Sequence, residues 1–384
     1  MRPSMRTRVE YWEKWGGEEL AAMARLVRAF NESQGEYEVV LSSAGDATSS
    51  PDLEGFLAAQ RAGRPPDLIG LEAHEIVGLV GKEALLPLSA SLADRARTLL
   101  RPEVACLGAR EGAWHALPIV ADLVTLYVNE DAVRGTPFEE GIPTAIASFD
   151  AVLDAVARRG RIGFVPSYPG WWPEVWPLLF GGGWFDERGR FAPDREENTR
   201  AYRWAVGLRE RFALERFALG VNPIGTLSPE PFLAGEVLLV LEGDWVVRRL
   251  IREPGLAWGV APFPTWDGSG GVLLEADLLA VPAGATCPEG ASSFLGFLLD
   301  PARIEALAAG QGKVSPLSVW SSGFVANHPN PRLADLRFVW DHFRVFSPPA
   351  HPEWPAVRAR IRGAFRAMWE RGERPEDALA RLRP

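Results

Sequence analysis

Between residues 16 and 35 the apolar positions Leu20, Met23, Ala24, Leu26, Val27 and Phe30 recur every three or four residues, and Gly35 closes the run. That spacing puts them on one face and predicts an amphipathic helix. On either side, "RVEYW" alternates weakly and "YEVVLSS" reads as a buried strand. A helix around "PDLEGFLAAQRAG", a short strand in "PPDLIGL" and a helix in "EIVGLVGKEALLPLSASL" ending at Pro87 follow. Strands alternating with helices predict an α/β fold built on a largely parallel, doubly wound sheet flanked by helices.

Further along, "GAWHALPIVADLVTLYVNEDAV" reads as two adjoining strands with Pro118 at an edge or crossing point, and "SFDAVLDAVARRG" as a helix with Ser148 as its N-cap. "REENTRAYRWAVGLRERFA" is helical, "VLLVLEG" is a buried strand leading into a helix, and "WGVAPFP" and "DLLAVPAG" are short strands. "EGASSFLGFLLDPARIEALAAG" is one or two helices, and a long helix near residues 353–371 ends the pattern. At 384 residues the chain exceeds the size at which one core stops growing, which favours two lobes.

Composition narrows the function. A formal net charge of −9 argues against nucleic acid or an anionic membrane as partner, since either calls for a basic stripe. Only Lys14, Lys82 and Lys313 are lysines among 41 basic residues. Cys106 and Cys287 have no second thiol or histidine at metal-ligand spacing, so no metal or cofactor is expected; two buried free thiols are favoured over a disulfide. The opening "MRPSMRTRVEYWEKW" has arginines but no apolar stretch behind them, which reads as no signal peptide. No segment offers the about 18 uncharged apolar residues of a membrane span.

The densest chemistry is "GWWPEVWPLLFGGGWF", residues 170–185, with Trp171, Trp172, Trp176 and Trp184. Aromatic faces suit the C–H faces of sugar rings, and carboxylates or amides suit their hydroxyl edges. Core packing is the competing reading. Asp122 stands just past an apolar strand; Glu72 and His74 follow "DLIGL", where strand ends of open α/β sheets face a ligand crevice. Trp15 and Glu18, with Lys14, lie in the first strand-to-helix loop, and Glu275 and Asp277 are charges inside an apolar strand, costly unless paired or facing a ligand. "GGG" at 181–183 is no phosphate loop, for the lysine and Ser/Thr are absent.

The order of these signals resembles the extracellular solute-binding proteins of ABC importers, in the group of the maltose-binding and glycerol-phosphate-binding proteins. "YWEKWGGEELAAMARLVRAFNESQGEYEVVL" is similar to that family's opening strand, helix and strand, and "AGRPPDLIGLEAHEIVGLVGKEALLPL" to its Gly-x-Pro-Pro-Asp strand and following helix. "GAWHALPIVADLVTLYVNEDAV", "FLAGEVLLVLEGDW" and "GERPEDALARL" resemble its later motifs, in the same order and over essentially the whole chain. Two departures stand out: "VLLVLEGDW" lacks the usual methionine, and "TAIASF" replaces a tryptophan-containing helix start.

The resemblance implies a two-lobe periplasmic-binding-protein fold, residues 1–121 plus 265–314 and residues 122–264 plus 315–384, closing by hinge motion on a ligand in an aromatic-lined cleft. It implies an extracytoplasmic monomer that binds a di- or oligosaccharide and delivers it to permease subunits. It also implies ligand-facing roles for the Trp171–Trp176 segment and for Trp245 in "EGDW", whose Asp244 reads as a helix cap, and for Trp354 near the start of the last long helix. A glycerophosphodiester is the alternative ligand, reminiscent in "PPAHPEW". A glycosidase, with acid and base drawn from Asp122, Glu242 and Asp244, is the less favoured third reading.

Overall fold

The computed structural model describes residues 6–43, 53–110, 112–166, 173–212 and 230–383. Its strands are β1 (Thr7–Glu13), β2 (Tyr37–Ser43), β3 (Leu68–Glu72), β4 (Ala109–Arg110), β5 (Ala113–Trp114), β6 (Ala116–Asn129), β7 (Ile162–Phe164), β8 (Val237–Gly243), β9 (Trp258–Ala261), β10 (Gly271–Ala280) and β11 (Arg344–Phe346). The chain divides into two compact units, Met1–Asp122 with Glu275–Pro331 and Leu123–Leu274 with Arg332–Pro384. Strands β6 and β10 each run through a point of division.

In the first unit β1 lies between β2 and β3, parallel to both, and β10 adds antiparallel to β3 with Asp277 opposite Glu72. The helix Gly17–Ser33 buries Ala22, Met23, Leu26, Val27 and Phe30, the face that the spacing predicts. Phe30 meets Phe294 of the helix Pro288–Leu298 edge to face, rings 5.2 Å apart. Gly70 on β3 has no room for a side chain: a Cβ there would lie 2.3 Å from a Glu13 carboxylate oxygen. The bare backbone thus makes space for a buried acid.

In the second unit β7 runs parallel to β8, while β6 pairs antiparallel with β8 and with β9. Its core draws on these strands and on the helices Ile146–Ala157, Glu196–Arg211 and Trp354–Arg371.

Four local expectations change. The two strands expected around Pro118 are one, β6, with all fourteen residues buried; Asp122, expected just past a strand, lies inside it, where its carboxylate is paired with Lys313. The helix expected to reach Pro87 stops at Val80, capped by Gly81; the chain then turns through Glu83 at φ 54° and joins Leu85 to Pro282. The helix credited to Ser148 begins at Ile146 instead, where the Ile146 amide donates to Thr265 O at 3.0 Å and Ile146 and Phe149 are buried together. Both thiols are free, with Cys287 buried; Cys106, expected to be buried, is exposed.

Candidate functional site

In the first unit the end of β1, the following loop, the end of β3, β10 and the loop after the helix Pro301–Gln311 bring a charged cluster together. Asp277 is its centre. It accepts a close ion pair from Lys14 Nζ, a second from Lys313 Nζ at 3.0 Å, and a hydrogen bond from Trp15 Nε1 at 3.3 Å. Lys14 also reaches Glu72 at 3.4 Å, and Glu72 in turn meets His74 Nδ1 at 3.1 Å. Lys313 reaches Asp122 at 2.9 Å and Glu19 at 3.3 Å, and its ammonium stands 5.9 Å from the Trp15 ring.

The residues that build this cluster are placed by simple local features. Glu72 caps the helix Ala73–Val80 in a capping box with Glu75, fixing the acid at the strand's end. Gly17, left-handed at φ 51°, lets the chain turn from the loop after β1 into the helix Gly17–Ser33, and Trp15 just before it is buried. Gly312, left-handed at φ 78°, ends the helix Pro301–Gln311, and Val314 bridges Ala121 in backbone register, which sets Lys313 beside Asp122.

Burial and pairing split the acids. Against burial, which raises it, Lys14 and Lys313 hold Asp277 well below the usual carboxylate range. Burial, opposed by Lys313, pushes Asp122 up to about 7. Burial likewise lifts Glu13 to about 7, although Tyr11 and the Lys14 amide donate to its carboxylate. One acid is thus a fixed anion and two are poised near neutrality.

In the second unit Glu242 and Trp245 form a smaller polar pair. Burial pushes Glu242 up to about 8, although the Gly243 amide and the Trp245 side chain donate to it. A Cβ on Gly243 would lie 2.2 Å from the Trp245 ring, so that glycine is what lets the indole fold back over the turn. Asp244, expected as a cap, is fully buried at the start of the short helix Asp244–Val246, and Gly243 occupies the N-cap position.

Sequence-picked residues therefore separate into groups. Trp15, Glu72, His74, Asp122 and Asp277 come together, while Glu18 is exposed on the first helical turn and Glu275 is half-buried on β10. Trp245 is half-buried against the core of its unit. Trp171 and Trp172 lie outside the described residues. Trp176, Trp184 and Trp354, expected to face ligand, are core residues with 2% exposure or less. Trp176 packs on Phe164, Trp204 and Phe263, Trp184 donates from Nε1 to Glu174 O at 2.8 Å, and Trp354 packs against Phe185. Each ring has apolar neighbours on its own unit, where burying its large surface stabilises that unit most.

Lys313, Glu19 and Glu13 were not singled out as site residues. A signal for Lys313 existed: in a chain whose basic residues are nearly all arginine, a lysine is an unusual choice.

Residues 25–330 match a family described as bacterial extracellular solute-binding protein. The chain belongs to that family. No curated protein sequence is similar to it. Among solved structures, CpMnBP1 with mannotriose bound is 21% identical, with a TM-score of 0.82 over 98% of this chain and 99% of that one. Maltose-bound MalE3 of T. maritima is 19% identical, TM-score 0.78, over 98% of each. The cyclic α-maltosyl-1,6-maltose binding protein of Arthrobacter globiformis is 18% identical, TM-score 0.76, over 98% and 97%. At such identities the likeness is one of fold: a two-lobe α/β solute-binding protein.

Proposed function

We propose that this solute-binding protein binds a neutral di- or oligosaccharide outside the cytoplasm and delivers it, unaltered, to the membrane subunits of an ABC importer. The observation that carries the reading is the Trp15–Asp277–Lys14–Glu72 constellation with Asp122. It joins an aromatic ring to carboxyl groups held in place by ammonium groups, the pairing that sugar faces and hydroxyls call for. Asp277, Glu72 and Asp122 would accept from hydroxyls, His74 would bond a ring substituent beside Glu72, and Glu18 and Glu275 would contribute at the edge. Trp245 and the Trp171–Trp172 pair would supply further ring surface for the sugar. The solved relatives with mannotriose and maltose bound support the same ligand class.

The charge balance disfavours a glycerophosphodiester. Around Lys14 and Lys313 stand Asp122, Asp277, Glu72 and Glu19, so an added phosphate would meet more carboxylates than ammonium groups. Thermal melting with a panel of maltotriose, mannotriose, shorter homologues and glycerol 3-phosphate tests the reading. A neutral oligosaccharide is expected to raise the melting temperature, and chromatography is expected to recover it intact. A shift with glycerol 3-phosphate alone, or hydrolysis of the sugar, would overturn the proposal.

A further inference from the structure

Lys313 has an arrangement that separates it from a ligand-contacting side chain. An ammonium has three N–H donors, and here three carboxylates lie within reach: Asp122 at 2.9 Å, Asp277 at 3.0 Å and Glu19 at 3.3 Å. They come from β6, from β10 and from the helix Gly17–Ser33. The ammonium is therefore engaged inside the protein, by a hydrogen bond to Asp277 and by ion pairs with Asp122 and Glu19, and a sugar hydroxyl would have to displace a carboxylate to reach it. The backbone holds the lysine in place as well: its amide donates to Ala308 O at 3.0 Å, its carbonyl meets His328 Nε2 at 3.0 Å, and the next residue bridges Ala121. A compact ammonium suits this convergence of three acceptors, whereas a planar guanidinium directs its donors along a fork.

We propose that Lys313 is a positioning residue of the carbohydrate site, one that holds Asp122 and Asp277 as a fixed pair of acceptors at the first-unit ends of the two strands that continue into the second unit. The proposal rests on the carbohydrate reading above. Without Lys313, Asp122 and Asp277 would face each other with Lys14 as the remaining nearby cation, and Asp122, already pushed up by burial, would keep its proton to higher pH and donate where it now accepts. Sugar affinity should therefore follow the charge on Asp122. The groups facing that carboxyl are Lys313, Asp277 and Lys14, with Glu19 acting through Lys313.

The test uses the full chain with maltotriose and mannotriose as probes, titrated calorimetrically from about pH 5.5 to about pH 8.5. In the wild-type protein affinity is expected to change with a midpoint near neutrality. Lys313→Met should weaken binding about tenfold or more near neutral pH and move that midpoint upward, Lys313→Arg should not restore it, and Asp122→Asn should abolish the pH dependence. Lys82→Met, at an exposed lysine, is the control. Because the chain has three lysines, isotopic labelling of lysine alone gives three side-chain signals. The one lost in Lys313→Met should titrate near neutrality in the wild type and stay flat in Asp122→Asn; Lys313→Arg removes the same signal and assigns it should Lys313→Met misfold, so that the wild-type titration alone then tests the contact. Sugar binding indifferent to Lys313→Met, or a flat Lys313 signal in the wild type, overturns the proposal. Failure of either sugar to bind the wild type overturns the carbohydrate reading instead, and the role of Lys313 falls with it.

Discussion

Glu242 keeps its proton through most of the neutral range because it is buried, and the sign of its effect on stability follows. Its folded value of about 8 lies above the roughly 4.3 of an unfolded chain, so the folded state binds more protons between the two. The stabilisation is complete below the unfolded value and is lost as pH rises towards about 8. The melting temperature should therefore fall between about pH 5 and about pH 8, with Glu13 and Asp122 adding to the slope. Glu242→Gln, neutral throughout, should flatten part of that slope; melts of both proteins across the range decide, and identical slopes would exclude Glu242 as a source. Trp176 belongs to the same scale. As a core ring, its replacement by alanine should cost about 3–5 kcal/mol in denaturant unfolding, whatever ligand is present.

Among the elements, the glycine run 181–183 has a structural use that does not involve phosphate. Asn198, on the helix Glu196–Arg211, accepts from the Gly183 amide at 3.0 Å and donates to Gly183 O at 2.8 Å and Pro193 O at 2.9 Å. A Cβ on Gly182 would fall 2.2 Å from the Asn198 Oδ1 atom, so the loop can lie against the helix only if it is bare there. Asn198→Ala should lower stability by about 1–3 kcal/mol by leaving loop groups unpaired. Gly182→Ala should also destabilise, and because both changes break the same junction the double variant should cost less than the sum. Denaturant curves of the two single variants and the double variant would show it; strict additivity would mean that the contact is not shared.

For the whole molecule, the carbohydrate reading predicts linkage between ligand and stability. A sugar that binds only the folded chain, present at about a hundred times its dissociation constant, should add about 2.7 kcal/mol. Calorimetric melts at graded sugar concentration should show a melting temperature that keeps rising with the logarithm of concentration. A rise linear in sugar concentration and equal for unrelated sugars would point instead to a non-specific solvent effect.

Sequence by itself determined the α/β character, the buried face of the helix Gly17–Ser33, and the family through motifs in order along the chain. These are local, because the period of apolar positions and the placement of Gly and Pro are written in neighbouring residues. Asp277 was legible in the same way, as a charge interrupting an apolar strand. Tertiary structure decided what each such residue meets. Trp176 and Trp184 stand in the same short stretch as Trp171 and Trp172, and nothing in that stretch says which rings the unit's core takes up. Likewise Lys313 and Asp122 are brought side by side by the Val314–Ala121 backbone bridge between distant parts of the chain, and that contact, like the raised pKa of Asp122, exists only once folding removes water from around the pair.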